Sequence, residues 1–126
     1  MIPILSRFMH GLLTDYPYVI LVGLVGPALV GATGTALLVF RAAALFILVM
    51  SLLTRAEWGL VRVIPYKAHL VLDVLGGLTV LASPWVFGFA DQPGPKWLAV
   101  VAGLFGIGAG TLSKTDEMPV KDAAMA

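Results

Sequence analysis

The sequence predicts an all-α polytopic membrane protein: four transmembrane helices as two tandem helical hairpins, with short interfacial helices. Three observations predict it. The first is composition. Of 126 residues, 60% are hydrophobic and 12% charged, and mean hydropathy is +0.98. Soluble domains run at roughly 45–50% apolar and about 25% charged, and a domain this small needs a large polar surface. The second is the spacing of charge. Residues 17–40, 42–54, 74–90 and 97–113 form runs of 24, 13, 17 and 17 without Asp, Glu, Lys or Arg. The third is an internal repeat, described below. A net charge of +1 leaves no basic footprint for nucleic acid, and the absence of cysteine excludes disulfides, thiolate sites and Cys nucleophiles.

In chain order, residues 1–15 predict an N-terminal interfacial segment. Leu5, Phe8, Met9, Leu12 and Leu13 recur at helical spacing, with Arg7, His10 and Asp15 among the other positions. Residues 16–54 predict the first hairpin. The cluster Gly31-Ala32-Thr33-Gly34-Thr35 divides the run into helices over about residues 16–32 and 36–54. A single long helix over 17–40, followed by a surface segment, is the competing reading. Arg41 then lies about one turn inside the second helix, where its stem snorkels to the headgroups or its charge meets a lipid phosphate or a partner's carboxylate.

Residues 55–68 predict an interfacial connector, a short helix with Trp58, Val61 and Ile64 apolar, Arg62 polar and Pro65 as terminator, or alternatively a plain loop with apolar residues. Residues 69–113 predict the second hairpin, with helices near 69–89 and 96–113 around the turn signal Asp91-Gln92-Pro93-Gly94-Pro95-Lys96. The polar tail 114–126 is expected to lie in water and fray. Arg7, Arg55, Arg62, Lys67, Lys114 and Lys121 fall on one side of this map and Arg41 and Lys96 on the other, so both termini are expected in the cytoplasm. Trp58 and Tyr66 mark the inner interface, Trp85 and Trp97 the outer one. The chain start lacks the pattern of a secretory signal.

The halves align. Gly26-Pro27-Ala28-Leu29-Val30-Gly31 matches Ser83-Pro84-Trp85-Val86-Phe87-Gly88 at an offset of 57, and Leu45-Phe46 matches Leu104-Phe105 at 59. Ser51-Leu52-Leu53-Thr54-Arg55 matches Gly110-Thr111-Leu112-Ser113-Lys114, also at 59. An insertion in the second turn accounts for the difference. Each repeat holds two spans, so the repeats are expected to be parallel, about an axis along the membrane normal.

The stretch from Leu72 to Gly88, LDVLGGLTVLASPWVFG, resembles the SPW-repeat family of small bacterial membrane proteins. In that family the tripeptide sits in the first of the two transmembrane helices of each repeat. The resemblance covers residues 69–113 well, with 16–54 as a degenerate copy carrying Gly26-Pro27-Ala28. It implies topology and a bacterial inner membrane, and no reaction, ligand or partner. Ser83, Pro84, Trp85 and Pro27 are given a structural role. Pro84 leaves the Val80 carbonyl without its helical partner, and Pro27 does the same to Gly23. In lipid such a carbonyl needs another donor, with Ser83 and Thr79 nearest to Val80.

Candidate chemistry is sparse. His69 and Asp73, four apart, share a helix face, and His10 and Asp15 hold a similar place before the first helix. Span arithmetic lets all four stay at the interface, hydrated or hydrogen-bonded; a proton-handling or metal-binding cluster is the alternative. Ala102, Gly106 and Gly110, with Gly103 beside them, form a small-residue stripe, and Gly76 and Gly77 offer the same on the preceding helix, for contact within the chain or with another subunit. No catalytic constellation appears. The expected function is therefore non-enzymatic: a subunit or scaffold in the lipid bilayer, packing against other membrane proteins or as a homo-oligomer, with no nucleic acid, cofactor, metal or catalytic residue assigned. The alternatives are a small oligomeric channel or transporter, or a cofactor binder using His10 and His69.

Overall fold

The computed structural model describes residues 3–119; Lys121, which entered the charge count, lies outside them. The described chain is all-helical. We label the helices α1 (Arg7–Leu29), α2 (Gly34–Leu53), α3 (Tyr66–Val86) and α4 (Pro93–Thr111). The first three are 23, 20 and 21 residues long and apolar enough to cross a bilayer. The fourth has 19 residues and packs most extensively against α3. Phe40, Ala36, Phe89 and Ala99 are fully buried where the four meet.

The break expected between residues 15 and 16 is absent. α1 starts at Arg7, capped by Ser6 Oγ, which accepts from Met9 N at 3.1 Å. It then runs on through two π-turns, Gly11–Asp15 and Leu21–Val25. Each closes with an i→i−5 bond, Tyr16 N to Gly11 O and Gly26 N to Leu21 O. Each is followed within two residues by a proline, Pro17 or Pro27. A proline cannot donate, and its ring crowds the carbonyl one turn back; the wider π-turn relieves that crowding. Near the first π-turn, the Phe8 carbonyl accepts from Trp58 Nε1 at 3.0 Å and the His10 carbonyl accepts from Thr14 Oγ1.

The expected connector helix is not formed either. Its backbone is used to finish α2: Leu60 N and Val61 N donate to Leu52 O, and Val63 N and Ile64 N to Leu53 O. These carbonyls are among the last four of α2, which have no intrahelical partner, so capping outcompetes a separate helix. The described part of the tail is also fixed rather than frayed. Glu117 accepts from Tyr66 N at 3.1 Å and Lys67 N at 2.8 Å, supplying the cap that Pro65 lacks at the start of α3, and Met118 is buried.

Arg7 ties these pieces together. Its Nε and Nη2 donate to the Glu57 carboxylate at 2.8–3.1 Å and its Nη1 to Asp116 O at 2.7 Å. Partial burial pushes the Glu57 carboxyl up, but hydrogen bonding to Arg7 outweighs it and holds the group below its ordinary value of 4.5. A lowered carboxyl pKa stabilises the fold above the ordinary value, and that contribution is lost as pH falls through the depressed one. Glu57→Gln is therefore expected to lower stability slightly at pH 7, by less than about 1 kcal/mol for this half-buried surface pair. Melting curves of both proteins at successive pH values should converge in acid, below the ordinary Glu range.

The loops that end α1 and α3 both turn on a left-handed glycine, Gly31 at φ 65° and Gly88 at φ 80°. A Cβ on Gly88 meets nothing within 4 Å, so Gly88→Ala isolates the backbone cost, about 1 kcal/mol. Reversible unfolding in mixed micelles checks this.

The small residues of α4 are spent inside the chain. A Cβ on Gly103 would lie 2.7 Å from Gly77 O, one on Gly106 3.2 Å from Asp73 O, and one on Gly110 2.6 Å from Leu70 O. Ala102 is buried in the apolar core shared by the helices. Gly76 faces elsewhere: its Cβ would meet only Phe46, at 3.7 Å. In the SPW segment, Ser83 Oγ donates to Val80 O at 2.6 Å, the carbonyl that Pro84 leaves free. Trp85 is exposed, with Lys96 Nζ 5.9 Å from its ring and 5.0 Å from that of Trp97.

Candidate functional site

Extending α1 back to Arg7 and α3 back to Tyr66 places His10 and His69 each as the fourth residue of a helix. Asp15 and Asp73 follow one turn later. His69 and Asp73 are the i, i+4 pair the sequence shows. His10 and Asp15 are five apart, and the intervening π-turn brings them to one face all the same. All four side chains meet between α1 and α3, and one ligand atom from each lies within 4.8 Å of all the others. His10 Nε2 is 3.1 Å from Asp15 Oδ1 and 2.9 Å from Asp73 Oδ2. His69 Nε2 is 3.1 Å from Asp15 Oδ2 and 3.5 Å from Asp73 Oδ2. All four groups are buried, with exposures of 1%, 6%, 1% and 3% for His10, Asp15, His69 and Asp73. Arg41 lies apart, exposed on α2.

The outer nitrogens fix how the imidazoles face inward. His10 Nδ1 is 2.7 Å from Ser113 Oγ, and Ser113 Oγ is 2.6 Å from Ala109 O. His69 Nδ1 is 2.7 Å from Thr54 Oγ1, itself 2.6 Å from Met50 O. A carbonyl only accepts, so each hydroxyl proton is committed to it. Each hydroxyl must then accept from Nδ1–H. The hydroxyls therefore place a proton on Nδ1 of each imidazole and leave each Nε2 facing the carboxylates. His69 Nε2 also lies at 3.2 Å from Asp15 Oδ1 with hydrogen-bond direction. By contrast, His10 Nε2 and both Asp73 oxygens are buried and have no directed hydrogen bond, despite their short separations.

The arrangement is two-fold. His10 and His69 are 59 apart, as are Ser113 and Thr54, and each histidine takes its hydroxyl from the other half of the chain. The backbone repeats the exchange. Lys114 N donates to Leu5 O at 2.7 Å and Arg55 N to Ile64 O at 2.8 Å, and both donors and acceptors are again 59 apart. The offset falls to 58 at Asp15 and Asp73 and to 57 at Pro27 and Pro84, one residue for each π-turn of α1. The longer turn after α3 restores it to 59.

The donor set fits a divalent transition ion. Ligands about 2.0–2.2 Å from a tetrahedral centre stand about 3.3–3.6 Å from one another; the His–Asp separations here are 2.9–3.5 Å, and the four ligand atoms spread over up to 4.8 Å. Imidazole and carboxylate together suit zinc, manganese or ferrous iron. The hydroxyl on each Nδ1–H is the outer contact that orients a metal-binding histidine. Comparison with family models, curated proteins and solved structures finds no match for this chain.

Proposed function

We propose that this chain is an integral protein of the bacterial inner membrane, four-spanning with both termini cytoplasmic, that holds one divalent transition-metal ion between its two halves. His10, Asp15, His69 and Asp73 would be the ligands. The observation that carries the reading is the pair of inward-facing Nε2 atoms set against two buried carboxylates, with His10 Nε2 and Asp73 otherwise unpartnered. Charge is compatible with it: a bound divalent cation would hold both imidazoles neutral and would itself balance the two carboxylates in a low-dielectric site. The number of spans rests on α4, whose 19 residues cover about 28 Å, and orientation rests on the distribution of Arg and Lys. The place of 69–113 among SPW repeats rests on the tripeptide and its hairpin partner.

The sequence assigned no metal, and the fold is what favours one. It also withdraws one argument for a partner-binding subunit, since the small-residue stripe faces α3 rather than an outer surface. Ion binding to the native state alone stabilises by mass action, about 2.7 kcal/mol at a hundredfold excess over Kd. A strong chelator is thus expected to lower the melting temperature of the detergent-solubilised protein, and excess zinc or manganese to restore it. His10→Ala/His69→Ala should respond to neither. A wild-type melting curve indifferent to both chelator and metal would defeat the proposal.

A further inference from the structure

The cluster is not sealed. A cavity of about 480 Å³ begins at Thr14, Asp15 and Asp73 and continues between the helices beside α2. Away from that end its lining is overwhelmingly apolar, with Val39, Ile47 and Val80 among the walls. Its lining on α2 reaches from Thr35 to Ile47, about 18 Å at 1.5 Å per residue. Leu38 and Phe46 line it and are 68% and 42% exposed on the helix surface, so the mouth opens toward lipid. The Tyr18 phenol lines the cavity too and has no hydrogen-bond partner among the described residues.

We propose that this cavity binds a membrane amphiphile with one apolar chain and a neutral oxygen head, a hydroxyl or carbonyl, seated at the Asp15–Asp73 end. The inference rests on the proposed metal centre, which supplies the cation that the oxygen meets, while Tyr18 supplies a hydrogen bond. The size suits a small ligand, within the usual range of about 300–1,000 Å³. The chain length follows from the run along α2. Neutrality follows from the site: two carboxylates already balance a divalent ion, and an anionic head would add an uncompensated charge in a low-dielectric interior.

The probe is a sixteen-carbon primary alcohol with a diazirine near the chain end, photolysed with the protein in nanodiscs and mapped by peptide mass spectrometry. Labelling is expected on α2 and α3 residues of the cavity, competed by unlabelled hexadecanol at least tenfold better than by hexadecanoic acid or hexadecane. Gly76→Leu fills the cavity and should cut labelling at least tenfold with metal content unchanged. Ala42→Trp at the mouth provides a second variant should the first misfold. Labelling spread evenly over lipid-facing positions such as Leu29 and Val101, or unaffected by both variants, would overturn the inference. Metal content measured on the same samples separates the two proposals. Cavity labelling that keeps its alcohol preference in metal-free protein would refute the oxygen-to-ion contact. Metal-loaded protein without cavity labelling would refute the ligand and leave the metal centre standing.

Discussion

His69→Ala is expected to abolish stoichiometric metal binding and to destabilise the fold by about 3–5 kcal/mol, the range for breaking a buried charged group away from its partner. Its Nε2 lies 3.1 Å from Asp15 Oδ2, across from α3 to α1. Its removal leaves Asp15 and Asp73 facing each other at 6% and 3% exposure with one histidine between them. Thr54 Oγ1 keeps its bond to Met50 O, so the hydroxyl is not orphaned. His69→Gln separates the two components of the loss: it keeps a polar group but not the imidazole lone pair, and should recover part of the stability and none of the metal. Unfolding in mixed micelles together with metal analysis distinguishes these outcomes. Because the halves are related, His10→Ala should behave alike. A large difference between the two would mean that the site is not the symmetric centre described here.

The second large effect is expected at the α3–α4 seam. A Cβ at Gly77 would sit 2.7 Å from Gly103 O and 2.8 Å from Ile107 N. These are backbone atoms, which cannot swing aside, so the helices must part. Gly77→Leu should cost about 3 kcal/mol or more, above the usual penalty for an overpacked core because the backbone itself must move. The damage reaches the centre, since Asp73 O packs against Gly106 in the same seam; metal affinity should fall with stability. Gly108→Ala is the control. Nothing lies within 4 Å of its added Cβ, and alanine is the better helix former by about 1 kcal/mol, so that variant should be neutral or more stable. Equal losses at positions 77 and 108 would show that the effect is generic to glycine replacement.

The apolar helices were legible from charge-free runs, because burial in lipid imposes composition directly. Both turns were legible from glycine and proline. The centre was only half legible. His69 and Asp73 announce themselves by helical spacing, whereas His10 and Asp15 stand one residue too far apart for an α-helix, and only a π-turn reconciles them. The trace of that turn is the drift in repeat offset from 59 at the histidines to 57 at the prolines, together with Pro17 and Pro27 inside an apolar run. Aligning from His10, instead of from Gly26, exposes the drift. Burial of the four groups was hidden for a further reason: counting apolar residues stops a span at its first charge, while a charge matched within the bundle does not end the helix. The reuse of the 55–65 backbone as a cap for α2 depends on tertiary contact and leaves no local pattern.

Metal content by inductively coupled plasma mass spectrometry tests the account most directly. The protein should be purified from membranes in mild detergent, without added metal or an affinity tag that binds metal. Close to one zinc, manganese or iron per chain is expected, falling to background in Asp15→Asn/Asp73→Asn that elutes as a folded species. Wild-type protein that is folded, free of metal and unable to take up any of the three on dialysis would contradict it.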